Sequence, residues 1–158
     1  DGDQLIENVP ALGYVLGDEG SGSYYGKKLL ADFLYNKLPD NIKTDLIETH
    51  QINKDKIFEN VYMKPNPNVY LASFMPFIAK HKDTNYVKEM VTKGMHHFME
   101  NHVCCYDNYK NVKTHFIGSL SEIFKNELFI AAEQLNVQVG SIIQKPIDNL
   151  VKYHIKYS

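Results

Sequence analysis

Two apolar, β-branched runs separated by a helix-length segment constrain the fold more than any other feature of this sequence. Thr114–Ile117 predicts a strand, Gly118 a turn, Ser119–Leu135 a helix and Val137–Ile143 a second strand. A strand, a helix and a strand in this order usually form a parallel pair within one sheet. We therefore expect an α/β fold in which helices pack on a sheet.

The beginning of the chain predicts two further strands and a helix. Gln4–Val9 and Leu12–Leu16 are short apolar-rich runs separated by Pro10, which is typical of adjacent antiparallel strands. A helix is expected from about Ser23 to Leu38, since its apolar residues recur at helical spacing and a proline follows.

Helical patterns dominate the middle of the chain. Residues 41–64 predict two short helices, or one helix that breaks near Gln51–Asn53. Three longer helices are then expected: from Pro67 to Lys80 with Asn66 as a cap, from Thr84 to His102, and from Lys145-Pro146 to about Lys156.

Composition limits the class of protein. The 158 residues are 44% hydrophobic and 23% charged, which fits one soluble globular domain over residues 1–158. A net charge of −2 gives no basic footprint for nucleic acid or an anionic membrane, and no apolar run approaches the ~20 residues of a membrane span. Cys104 and Cys105 are adjacent and form no disulfide framework, so we expect a cytoplasmic protein.

All seventeen basic residues are lysines, so this chain can provide no bidentate arginine clamp for phosphate. Backbone N–H groups, lysine, serine or threonine would have to hold any phosphate. His96, His97 and His102 lie in one predicted helix without an i,i+4 pair, which disfavours a metal-binding face.

The segment Gly17–Gly22 places two carboxylates on a glycine-rich turn that leads into a helix. Such a turn lets a ligand approach the backbone closely, and its carboxylates can accept hydrogen bonds from sugar hydroxyls. From the residues alone, a purely structural interpretation is favoured: Asp18 and Glu19 would stabilise the helix dipole, and Ser21 or Ser23 would cap the helix.

A second candidate site is the segment Phe116–Glu122. Ser119 and Glu122 have the spacing of a capping box, which would explain both residues without a ligand. Capping does not explain Gly118, which lies between strand and helix where a ligand could contact the backbone.

Both segments resemble one known family. Ala11–Gly22, with the sequence ALGYVLGDEGSG, is similar to the hallmark segment of N-acetylglucosamine kinases and their relatives in the BadF/BadG/BcrA/BcrD ATPase family. FIGSLSEIF, starting at Phe116, looks like the adenosine-binding motif of actin/hexokinase-like ATPases, and Val139–Val151 resembles the closing strand and helix of the family.

The resemblance implies a fold and a division into lobes. The chain would form the C-terminal lobe of an actin-like ATPase, a helix-rich α/β lobe with a ribonuclease-H-like mixed sheet. The N-terminal lobe, with its DxGxT and GTGS phosphate loops and the catalytic aspartate, would be absent, so this chain would contain no catalytic residue.

The resemblance also implies ligands. Leu12, Gly13 and Asp18 would contact an amino sugar such as N-acetylglucosamine, while Gly118, Ser119 and Glu122 would contact ATP, used with Mg²⁺. Leu12 stands where relatives carry tryptophan, so the aromatic platform for the sugar is missing and the sugar's identity stays open. The expected partners are a sugar and ATP, with homodimer formation left open and no nucleic acid or membrane.

Two alternatives to the kinase remain open at this point. Some relatives are ATPases that activate a partner oxidoreductase through a cysteine-held iron–sulfur cluster, although Cys104-Cys105 lacks the glycine-flanked context expected there. A non-catalytic, sugar-sensing protein could use the same fold.

Overall fold

The computed structural model describes residues 6–145 and, beyond them, the single positions 147, 151 and 155. The described part of the chain is helix-rich. Its α-helices are α1 (Gly13–Leu16), α2 (Gly22–Leu34), α3 (Asp40–His50), α4 (Lys54–Phe58), α5 (Pro67–Ala72), α6 (Met75–Lys80), α7 (Asn85–His102), α8 (Ser119–Ile123) and α9 (Lys125–Leu135). A π-helical turn, Glu59–Met63, follows α4, and a 3₁₀ turn, Tyr109–Asn111, precedes the first strand.

The sheet of the described residues has two strands, β1 (Lys113–Ile117) and β2 (Gln138–Ile143), which pair in parallel. α8 and α9 form the crossover between them, so the predicted parallel pair and the α/β class are confirmed. The mixed sheet of an actin-like lobe stays a prediction.

One hydrophobic core joins the helices to the inner face of this strand pair. α7 carries its predicted stripe into that core, with Val87, Met90, Val91 and Gly94 buried. α9 packs along α7 through Leu128 and its neighbouring alanines, and Phe116 of β1 reaches the same core.

Capping residues define several of the predicted boundaries. Gln51 adopts a left-handed conformation and Asn53 caps α4 by accepting from the Lys56 N–H at 2.8 Å, which confirms the break near Gln51–Asn53. The predicted start of α7 is confirmed as well, because Thr84 is its N-cap.

Three predicted helices are shorter than expected. α2 ends at Leu34 rather than Leu38, since Asn36 turns the chain with a φ of 55°. The helix expected over Pro67–Lys80 is two helices: Pro76, in the first turn of α6, cannot continue the hydrogen-bond ladder of α5. The helix expected over Ser119–Leu135 divides at Phe124.

The two strands predicted near the beginning of the chain are wrong for the residues described. Leu12–Leu16 forms the short helix α1 over Gly13–Leu16, and residues 6–9 are irregular. A strand needs hydrogen bonds from a neighbouring strand, whereas a helical turn makes its own, as the Gly17 N–H does to Gly13 O at 2.8 Å. Leu12, Val15 and Leu16 are exposed in this arrangement.

The helix predicted from Lys145-Pro146 to Lys156 lies largely outside the described residues. Within the described part of the chain, no helix combines the length and apolar character that crossing a membrane requires.

Candidate functional site

The glycine-rich turn and the Gly118 turn lie on the same cleft, although about a hundred residues separate them in sequence. The cleft has a volume of about 590 Å³, within the range of small-molecule sites. Its walls come from the turn before α2, the end of α7, and β1 with the start of α8. The lining residues that matter most are Glu19, Gly20, Gly22, Phe98, His102, His115, Gly118 and Ser119.

Capping hydrogen bonds hold the glycine-rich turn. Ser21 is the N-cap of α2 and accepts from the Tyr24 N–H at 3.2 Å, so the predicted capping role of this serine is confirmed. Gly20, with a φ of 73°, lies so close to Phe98 of α7 that a Cβ would be 3.3 Å from the Phe98 Cβ. The turn is thus packed directly against α7.

Glu19 is the charged group of this side of the cleft. Its carboxylate accepts from Asn101 Nδ2 at 3.2 Å and lies 3.7 Å from His102 Nε2, both in the last turn of α7. Burial, and secondarily the negative charge of Glu19, raise the pKa of Tyr24, whose hydroxyl is 3.2 Å from His97 Nδ1. Tyr24 does not line the cleft, so this wall offers the Glu19 carboxylate and the Ser21 hydroxyl, which can form hydrogen bonds with the hydroxyls of a ligand.

Gly118 forms the opposite wall. Its φ of 144° and ψ of 156° lie in a region that essentially only glycine occupies. Its N–H donates to Ile143 O at 2.9 Å, and its carbonyl accepts from Ser121 Oγ at 3.0 Å. A Cβ at Gly118 would meet nothing closer than 3.8 Å, so the backbone here is open to a ligand.

The capping-box interpretation of Ser119 and Glu122 is wrong. Gly118 occupies the N-cap position of α8, Ser119 is already the first helical residue, and no side chain caps this helix. A capping box needs its serine at the N-cap itself. The structural explanation for Ser119 is therefore lost, and Ser119 lines the cleft.

Some of the residues predicted as ligand contacts line the cleft and others do not. Gly118 and Ser119 line the cleft, whereas the lining residues do not include Leu12, Gly13, Asp18 or the exposed Glu122. The Asp18 carboxylate accepts from Ser23 Oγ at 3.1 Å, at the start of α2. The sugar-binding roles of Leu12, Gly13 and Asp18 and the nucleotide role of Glu122 stay predictions.

Sequence reasoning missed several cleft residues. Phe98 belongs to the recognised apolar stripe of α7, but nothing in that pattern indicates that its exposed edge faces a cleft. His102 of α7 and His115 of β1 line the cleft together, which a local pattern in either element does not reveal.

Among the described residues, no three His, Cys, Asp or Glu side chains are arranged to hold a metal ion. Protein sites for Mg²⁺ usually combine one or two carboxylates with substrate phosphates. The described residues therefore do not by themselves make a self-sufficient magnesium site.

A search of solved structures found a clear relative. The chain is similar to the crystal structure of a protein from Porphyromonas gingivalis described as a "putative N-acetylglucosamine kinase", with 34% identity and a TM-score of 0.86. The match covers 92% of this chain and 51% of that protein, so the chain spans about half the length of its relative. No protein-family model and no curated protein matches the chain.

Proposed function

We propose that this chain is the ligand-binding C-terminal part of an ATP-dependent sugar kinase of the N-acetylglucosamine-kinase-like, BadF/BadG/BcrA/BcrD type. The full-length protein would transfer the γ-phosphate of ATP to a hydroxyl of an amino sugar such as N-acetylglucosamine. The observation that carries the proposal is the cleft shared by the glycine-rich turn and the Gly118 turn. Similarity to the Porphyromonas gingivalis protein over 92% of the chain supports it.

The charges of the two walls favour one orientation of the ligands. Glu19 is negative, so a phosphate on its side would be repelled, while sugar hydroxyls could donate to its carboxylate. The wall of Gly118 and Ser119 carries no charge and exposes backbone, which suits a nucleoside. We therefore assign the sugar to the Glu19 side and the adenosine to Gly118 and Ser119. The resemblance adds Leu12, Gly13 and Asp18 to the proposed sugar contacts and Glu122 to the proposed nucleotide contacts.

The remaining parts of the reaction would come from outside this chain. Phosphoryl transfer depends on positioning and on electrostatic stabilisation of the phosphates. This sequence has no arginine, and the chain covers half of its relative. We propose that the phosphate loops, the general base and additional ligands for Mg²⁺ belong to an N-terminal lobe that closes over the cleft.

The test is a coupled assay of the full-length protein with ATP and a panel of amino sugars. We expect ATP- and sugar-dependent turnover, and none from residues 1–158 alone. Gly118→Val should raise KM for ATP at least tenfold because a side chain is strained at this φ and enters the open side of the turn. Lys125→Gln, an exposed charge change nearby, is the matched control and should behave like the parent.

Three outcomes would contradict the proposal. Sugar phosphorylation by residues 1–158, freed of contaminating kinase, would refute the proposal that the phosphate loops and the general base belong to a separate N-terminal lobe. ATP hydrolysis without sugar, together with an oxygen-sensitive brown colour, would indicate an activator ATPase. Ligand binding by the full-length protein without any turnover would indicate a sensor.

A further inference from the structure

The parallel strand pair contains one extra residue on one side. Thr114 pairs with Val139 and Phe116 pairs with Ile142, so His115 alone in β1 faces both Gly140 and Ser141 in β2. This is a β-bulge, a feature that bends a strand and is found next to active sites.

The bulge decides which side chains of β2 reach the core. Val139 and Ile142 are three residues apart and would point to opposite faces of a regular strand. Both nevertheless pack against the hydrophobic core, because the bulge absorbs the odd residue. Beyond the bulge, the new register places Ile143 O 2.9 Å from the Gly118 N–H.

His115 supplies the hydrogen bond that the bulge would otherwise leave unmade. The Ser141 N–H donates to His115 Nδ1 at 3.0 Å, and Ser141 Oγ lies 2.5 Å from the same nitrogen. A backbone N–H can only donate, so His115 Nδ1 is the acceptor in its contact with the Ser141 N–H. Gly140 makes room for the ring, since a Cβ there would be 2.6 Å from His115 Cε1.

We propose that His115 is a positioning residue for the Gly118 turn. Its Nδ1 holds the bulge at Gly140–Ser141 and thereby fixes the strand register that sets Gly118 and Ser119 at the cleft. The bulge and its effect on Gly118 stand on the geometry alone, whereas the consequence for nucleotide affinity rests on the proposed function.

Variants of the full-length protein distinguish the effect of the acceptor atom of His115 from the effect of the shape of its ring. His115→Phe keeps an aromatic ring but removes the acceptor, while His115→Asn keeps an acceptor at the position of Nδ1. Ser141→Ala removes the hydroxyl and keeps the N–H, so it is the matched control. Gly140→Ala displaces the ring sterically without changing the imidazole.

Two readouts are needed, hydrogen exchange over residues 116–121 without ligand and the Kd for ATP by calorimetry. Loss of one hydrogen bond to the backbone should speed that exchange and raise the Kd five- to tenfold, on the order expected for such a bond. We expect this for His115→Phe and Gly140→Ala, with values near the parent for His115→Asn and Ser141→Ala. The Kd for the sugar should not change in any of them.

Equal exchange in His115→Phe and Ser141→Ala would overturn the proposal, as would equal exchange in His115→Asn and His115→Phe. If His115→Phe does not fold, Gly140→Ala and the double variant Gly140→Ala/His115→Asn decide instead: the smaller asparagine should restore the protection that the alanine removes. A parent protein that binds no ATP would refute the proposed function, while the exchange data would still test the role of His115.

Discussion

Contacts made in the fold alter the ionisation of Asp45. Its carboxylate accepts from Lys80 Nζ and contacts His81 Nε2, both at 2.6 Å, and accepts from Thr49 at 3.0 Å. The hydrogen bonds from Lys80 and then His81 lower the pKa of Asp45 from 3.8 to about 2. The contacts with Lys80 and His81 tie α3 to the end of α6, while the contact with Thr49 lies within α3.

This lowered pKa predicts a pH dependence of stability. Because the folded-state pKa is depressed, the contribution of Asp45 is complete above its unfolded pKa of 3.8 and disappears as pH falls towards about 2. The difference in the free energy of unfolding between the parent and Asp45→Asn should therefore shrink from pH 5 to pH 2. Urea denaturation across that range measures it.

Glu89→Gln is the control for this experiment. Glu89 is exposed, and its pKa is lowered by a hydrogen bond from the single residue Lys93. Exposed pairs of this kind contribute little to stability, so its difference from the parent should stay small throughout. A difference for Asp45→Asn that is constant from pH 5 to pH 2 would contradict the assignment.

The helices α2 and α5 meet at a point where only glycine fits. A Cβ on Gly26 would lie 1.9 Å from the carbonyl oxygen of Leu71, a backbone atom that no rotamer change can move. Gly26→Ala should therefore lower the free energy of unfolding by about 2 kcal/mol, the range of overpacked cores. The sign of this change is opposite to the usual one, because replacing glycine by alanine inside a helix normally raises the free energy of unfolding by roughly 1 kcal/mol.

Thermal and urea unfolding of Gly26→Ala measure this effect. Lys27→Ala, the exposed next residue of α2, is the control and should change stability by about 0.5 kcal/mol at most. A stabilised Gly26→Ala would show that α2 and α5 do not approach as closely as described.

The elements predictable from the sequence were those whose signals are local. The strand pair and α7 followed from β-branched runs and an apolar stripe. The division at Phe124 and the ending of α2 at Leu34 depend on backbone conformations that local apolar spacing did not specify. The failed strand at Leu12–Leu16 depended on a partner strand, whose presence a short apolar run cannot reveal.

Only half of the candidate site could be predicted from the sequence. Gly118 and the glycine-rich turn were identifiable because glycines between elements mark places of close approach. Both turns line one cleft, in which Phe98 of α7 lies against Gly20 and His102 beside Glu19. No sequence signal over such a separation indicates those contacts.

A cleft assembled from two distant segments predicts a joint response to ligands. In the proposed function the two ligands are ATP and N-acetylglucosamine. At about 100 times its Kd, each should stabilise its site by about 2.7 kcal/mol. Amide hydrogen exchange should then slow roughly a hundredfold wherever a local opening cannot occur while the ligand is bound. The slowing should occur in both residues 19–22 and residues 116–121 of the full-length protein. Residues 54–63, which do not line the cleft, are the internal control. Because the two walls belong to one cleft, protection of only one segment when both ligands are bound would show that they do not act as a single site.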